Sequence, residues 1–325
     1  MSEEAPLRDL RDPALVAAFE GWNDAGNAAS DALRFLLRAF DADEVRELDP
    51  QEYFDFQAAR PHVEISNGVV RTLRWPSTRI YTARVAGGPR DLVLALGIEP
   101  NLHWPQFCHE ILGTARSFGT AFAVTLGALL GDTPHTRDTP ITGTASDPGT
   151  ARHLGLQRSR YQGPTGIVGV LSDACKREGL SCASLWAPVP HYVSSPPNPK
   201  ATLALLERLA QLLDLPLDLR NMRVAANGWV EQVNSVMETD GDLVAYVHQL
   251  EARHDDPAGA ADDDDDVSDD DLFAALDDVI DTDEDDADDE DDDDDVFDED
   301  QLPSGDALAA EFERFLRRQG EEGNP

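Results

Sequence analysis

Cysteine, lysine and long apolar runs are all scarce in this chain. Its three cysteines, Cys108, Cys175 and Cys182, are an odd number without metal-ligand spacing, so reduced thiols are expected rather than a disulfide framework. No apolar run approaches the ~20 residues that a membrane helix needs. The opening Met1-Ser2-Glu3-Glu4 is acidic and lacks the apolar core of a signal peptide. These absences predict a soluble, cytoplasmic protein with no membrane partner. Lys176 and Lys200 are the sole lysines, and no basic cluster interleaved with aromatics is present, which argues against nucleic acid as a partner.

Catalytic signatures are missing as well. The histidines at 103, 109, 135, 153, 191, 248 and 254 show neither HExxH nor paired spacing, so no metal site is expected and no cofactor is implied. Ser172-Asp173 and Ser194-Ser195 lack the GxSxG elbow of serine hydrolases. Neither GxxxxGK[ST] nor GxGxxG occurs, so no phosphate loop is read. Cys175 falls among apolar residues of a predicted helix and reads as core rather than nucleophile. No catalytic residue is assigned.

What the chain does have is negative charge, and most of the net excess is local. Of the net charge of −38, the stretch from Asp255 to Asp300 carries 28 acidic residues and no lysine or arginine. The rest holds 36 acidic against 26 basic residues, an ordinary mildly acidic balance. The tract cannot bury enough apolar surface to offset its ordering entropy, so a disordered linker is expected over 255–300. It reads as a solvated spacer, as a tail for a basic partner, or as a weak calcium binder, although the DxDxDG loop is absent. After it, Leu308, Phe312, Phe315 and Leu316 make an amphipathic stripe that predicts a terminal helix, over 301–325, docking on the core.

Residues 1–254 read as an α/β domain. Apolar runs at 14–20, 91–97, 121–130 and 181–189 predict buried strands, and shorter strands are expected at 52–57, 69–75 and 79–84 with a hairpin turn at Asn67-Gly68. Helices are expected at 24–40, 104–118, 165–178, 200–213 and 221–254, with Asn23 or Asp24 capping the first and Asn198-Pro199 opening the fourth. The alternation predicts a mostly parallel or mixed central sheet flanked by helices.

The most telling stretch is Phe19-Glu20-Gly21-Trp22-Asn23-Asp24-Ala25-Gly26, a tight turn at the mouth of a buried strand. It reads either as a pocket wall or as a turn whose glycine and caps serve the backbone. Ile98-Glu99-Pro100-Asn101 ends the second buried strand. If those strands are parallel, Glu20, Asp24 and Glu99 share one cleft, and one of the carboxyls is raised in pKa. Glu20, Gly21, Trp22, Asn23, Asp24, Gly26, Glu99, Asn101 and His191 are the candidate ligand- or partner-binding residues.

Phe19–Gly26, Leu96-Gly97-Ile98-Glu99-Pro100, Thr125–Leu129, Pro134-His135-Thr136-Arg137, Gly163–Ile167 and Pro190-His191-Tyr192 together resemble the PAC2 (proteasome assembly chaperone) family in its actinobacterial branch. The resemblance covers residues 10–255, and Leu302–Asp306 with the helix after it resembles that branch's C-terminus. It implies a three-layer α/β/α fold similar to purine nucleoside phosphorylases, a homo-oligomer such as a trimer, and an assembly chaperone or scaffold whose partners include proteasome subunits. The chain ends Glu322-Gly323-Asn324-Pro325, without the hydrophobic-Tyr-X tail that some relatives use to dock on the proteasome ring. The rival expectation is a nucleoside-like small-molecule binding protein or enzyme on the same fold.

Overall fold

The computed structural model describes residues 9–66, 70–145, 148–156, 163–193, 195–237 and 241–255. Apart from Asp255, the expected acidic linker and terminal helix lie outside these residues, as does the expected Asn67-Gly68 turn.

The first half of the chain runs β1 (Ala14–Glu20), α1 (Ala28–Ala39), β2 (Asp43–Glu47), α2 (Pro50–Tyr53), β3 (His62–Ser66), β4 (Val70–Arg74), β5 (Thr78–Ala83), β6 (Leu92–Ile98) and α3 (Trp104–Ser117). The second half runs β7 (Phe122–Gly131), β8 (Thr142–Ala145), α4 (Pro148–Leu154), α5 (Ile167–Arg177), β9 (Ser181–Pro190), α6 (Pro199–Leu213), α7 (Arg220–Met237) and α8 (Gly241–Asp255). Among the described residues, seven strands form one sheet in the order β2-β5-β6-β1-β7-β9-β8, and β3 pairs with β4 separately.

Burial on both faces explains the run of apolar residues in β1. Ala14, Val16 and Ala18 point to one face, where Leu33 and Leu36 of α1 and Leu205, Leu206 and Leu209 of α6 cover them. Leu15, Ala17 and Phe19 point to the other, under Phe107 and Ile111 of α3 and Leu171 of α5. Each large side chain so buried contributes about 1.5–3 kcal/mol. The result is a mixed sheet between two helical layers: a three-layer α/β/α fold, as expected.

The inner strands β6, β1, β7 and β9 are parallel. β1 and β6 pair from Ala14↔Leu92 through Glu20↔Ile98, so their exit loops leave the same edge of the sheet side by side. β5 and β8 flank the parallel core as antiparallel strands.

Four local expectations need correction. Residues 52–57 do not form a strand: Asp49 accepts a hydrogen bond from the Gln51 amide at 3.0 Å and Pro50 opens a single helical turn, α2. Helix α1 begins at Ala28 rather than at 24, because Asn27 takes the left-handed conformation (φ 56°) after a 3-10 turn at Ala25–Asn27. Within 221–254 the described residues form two helices, α7 and α8; residues 238–240 between them lie outside the described residues, and the sequence Glu238-Thr239-Asp240-Gly241 supplies no apolar residue to continue the period. Helix α4 was not anticipated.

Candidate functional site

The site lies at the carboxyl edge of β1 and β6, where two loops and a helix N-terminus meet. The Glu99 amide donates to the Glu20 carbonyl at 2.8 Å, carrying the β1–β6 ladder one step past the strands. The Glu99 carboxylate accepts from the Asn23 side-chain amide at 3.0 Å and from the Ile167 backbone amide at 2.7 Å, both on Oε1. Ile167 opens α5, so Glu99 supplies negative charge where the helix dipole favours it. The fit leaves no room for a side chain at residue 166: a Cβ there would lie 2.0 Å from Asn23 Nδ2 and 2.7 Å from Glu99 Oε1. Gly21, at φ +126°, turns the first loop so that it passes beside Glu99.

Asp24 does a different job. It is buried, and its Oδ1 accepts from the Ala29 and Ser30 amides at 2.8 and 3.1 Å, closing the start of α1. Burial pushes its carboxyl up to about 6, against the opposing hydrogen bonds from Ser30 and Ala29, and the charge of Glu20 adds to the rise. Its second oxygen has no hydrogen-bond partner among the described residues. A raised carboxyl does occur here, but burial rather than a shared cleft is its main cause. Glu20 pairs with Arg34, which also bonds Asp31 and the Ser30 hydroxyl at 2.8 Å.

A cleft of about 1010 Å³ opens on this rim. Glu20, Gly21, Arg34, Glu99, Asn101 and Trp104 line its sheet side, and Arg60, His62, Val63, Arg74 and Trp75 its hairpin side. Asn101 ties that loop to α2 through Tyr53 and Asp55, at 2.9 and 3.1 Å. The expected grouping is therefore brought together in part. Asn23, Asp24 and Gly26 are buried behind the cleft, and Trp22, 38% exposed, does not line it. The expectation that Asp24 shares the cleft is corrected: the α1 amides draw it inward. Gly26 instead accepts from the Asn198 amide at 2.8 Å, joining the loop to the start of α6.

His191 is not at this cleft. It follows β9, two strands from β1, where Nδ1 lies 3.2 Å from Asp132 and the ring meets Tyr192 and Tyr246 edge-on. Near it is a cluster that no catalytic sequence pattern marks. His135 is buried, with Nε2 2.8 Å from Asn234 and Nδ1 2.9 Å from the Tyr192 hydroxyl, and burial lowers its pKa. Lys200 donates to the His135 and Arg137 carbonyls, and burial brings it down to about 8. Arg137 grips Asp255 at 2.9 and 2.8 Å and Glu251 at 2.9 Å, tying α8 to the same loop. The signal was the rarity of lysine: Lys200 is one of two. Among the described residues no cluster of His, Cys, Asp and Glu could hold a metal ion, and no helix is long and apolar enough to cross a membrane.

Residues 18–237, which include both rim loops and the His135 loop, match the PAC2 family. The chain belongs to the PAC2 family. Among solved PAC2 structures it is similar to a family protein from Streptomyces avermitilis, at 51% identity and a TM-score of 0.68, over 73% of this chain and all of that one. It is also similar to a proteasome-assembly chaperone homologue from Mycobacterium tuberculosis, at 46% identity and 0.67, over 72% of this chain and 99% of the other. PbaB of Pyrococcus furiosus, an archaeal proteasome activator, shares the fold alone, at 17% identity and 0.57, over 70% and 95%. No match was found among curated proteins.

Proposed function

We propose that this PAC2 protein is a non-enzymatic assembly chaperone or scaffold whose partners are proteasome components. The observation that carries the reading is its 46% identity to the M. tuberculosis proteasome-assembly chaperone homologue over nearly all of that chain. The rim supports it: Glu99 is engaged in joining two loops to α5, and Asp24 in closing α1. These are roles in building a surface. In this reading Glu20, Gly21, Glu99 and Asn101 belong to the partner-facing rim, while Asn23, Asp24 and Gly26 support it from behind. The protein acts in the cytoplasm as a homo-oligomer, a trimer, with residues 1–254 as the working domain, 255–300 as an acidic linker and 301–325 as a terminal helix.

Affinity capture with purified proteasome α-subunits tests this. Enrichment over an unrelated acidic bait is the expected result, and equal recovery on both baits would overturn it. Light scattering on the full chain reports the oligomer, with a trimer mass expected.

A further inference from the structure

We propose that His135 is the pin of a pH-sensitive latch: with a neutral ring it holds α8 against the carboxyl rim of the sheet, and a second proton on the ring releases the helix. The inference does not depend on the assembly-chaperone reading.

The latch is the loop between β7 and β8. On its outer side it carries α8. Arg137 bonds Glu251 at 2.9 Å and Asp255 at 2.9 and 2.8 Å, the Thr136 hydroxyl donates to Glu251, and Asp132 accepts from the Tyr246 hydroxyl at 3.2 Å. Val247 and Leu250 are the buried side chains of this helix, so much of its hold is polar. Asp255 is also the first residue of the acidic tract, and the latch thereby fixes where that tract leaves the domain. On its inner side the loop is fixed by the buried His135. The ring reaches Asn234 of α7 and Tyr192 after β9, and the backbone carbonyl accepts from Lys200 of α6.

The hydrogen bonds of that ring suit a neutral imidazole. Asn234 presents Oδ1 to Nε2 at 2.8 Å, so Nε2 carries the hydrogen. Nδ1 is then the acceptor, 2.9 Å from the Tyr192 hydroxyl, and that hydroxyl accepts from the His135 amide at 2.8 Å. A second ring proton makes Nδ1 a donor. The Tyr192 hydroxyl must then accept twice and turn its own hydrogen to the Thr133 carbonyl at 3.4 Å, beyond the roughly 2.5–3.0 Å of a good O–H···O bond.

Charge adds to the cost. The groups around His135 are Lys200 from α6, Tyr192 after β9, Glu251 from α8 and Arg137 on its own loop, while α7 offers the neutral Asn234 and Trp229. Burial lowers the His135 pKa, and Lys200 adds to the fall, against the Asn234 bond and the Glu251 charge. The hold is therefore complete above about pH 6.5, the ordinary value, and is lost as pH falls below it toward the value in the fold.

Hydrogen–deuterium exchange on the full chain, corrected for the intrinsic pH dependence of exchange, tests the latch. From about pH 7.5 to about pH 5.5 the α8 amides should open several-fold more, while those of β1 and β6 keep their protection. Local exchange is the readout because Asp24 titrates near 6 with the opposite effect on global stability. Charging His191 beside Asp132, or His248 beside Glu251, would tighten the rim, so loosening does not come from them. His135→Gln takes up no proton and should make α8 exchange flat with pH. Glu251→Gln weakens the grip of Arg137 and should raise α8 exchange at both pH values. NMR of carbon-labelled histidine in the parent chain reads the pin directly: His135 should stay neutral at about pH 6 and charge over the range in which α8 opens.

α8 exchange that is flat with pH in the parent chain would overturn the proposal, as would equal loosening of β1 and β6. So would a pH response that survives in His135→Gln, or α8 exchange unchanged in Glu251→Gln. Should His135→Gln fail to fold, the NMR titration decides. Ring protonation that coincides with α8 opening supports the latch, and protonation at the ordinary value, or apart from the opening by more than about one pH unit, refutes it.

Discussion

Single side chains at the rim are fixed by contacts too tight to alter quietly. Gly166→Ala places a methyl 2.0 Å from Asn23 Nδ2, so the Glu99 bridge to α5 must shift, and a loss of about 1–3 kcal/mol is expected in urea unfolding. An unchanged midpoint would show that the loops yield freely. Asp24 makes a pH-dependent claim. Its carboxyl titrates near 6 in the fold against about 3.8 unfolded, so its contribution is fully present below 3.8 and is lost as pH rises through 6. Asp24→Asn retains the acceptor toward Ala29 and Ser30 without the charge. The variant should match the parent near pH 3 and exceed it at pH 7.5 by roughly 2–3 kcal/mol. A gap that is constant with pH would refute the assignment. The capping role of Asp24 was legible from its residue type, since Asp beside a helix start is a natural acceptor. Its burial was not, because that depends on how the loop folds over β7, where the Ala128 amide bonds the Asn23 carbonyl.

Elements here are held at their ends. Asn198 caps α6 by accepting from the Ala201 amide at 3.0 Å, and its own amide reaches Gly26 at 2.8 Å. Asn198→Ala should cost about 1–2 kcal/mol, measured by thermal or urea unfolding, and a change within experimental error would sink the capping account. That cap could be read directly, because Asn-Pro before a periodic apolar run is a local signal. The false strand at 52–57 shows the converse. Tyr53, Phe54 and Phe56 have strand-favouring side chains, but Asp49-Pro50 upstream sets a helical turn, and Tyr53 and Phe54 are buried from there. The division between α7 and α8 turns on a short polar stretch that a helical period reads straight through.

At the scale of the whole molecule, two apolar layers enclose one sheet, and all three thiols fall in the layer beneath α3 and α5. Burial pushes Cys108 up to about 12, and a hydrogen bond with Cys182 together with burial raises Cys175. A thiol-reactive dye should therefore modify no cysteine in the native protein and three in urea; fast reaction in buffer would contradict the layer assignment. The charge asymmetry is also molecular in scale. The net negative charge lies mostly in one tract, while the cleft gathers arginines drawn from α1, the segment before β3 and the end of β4.

The sequence by itself determined the four buried strands β1, β6, β7 and β9, because a strand covered on both faces must be apolar throughout and such runs are visible without a partner; that they run parallel was decided by the fold. It likewise determined that Glu20 and Glu99 leave the sheet together once β1 and β6 run parallel. Tertiary structure alone decided which acids face the cleft, that His191 stands elsewhere, and that His135 and Lys200 share a buried knot. Those outcomes depend on loop paths and helix ends meeting across 60 to 100 residues of chain, and no local pattern encodes such a meeting.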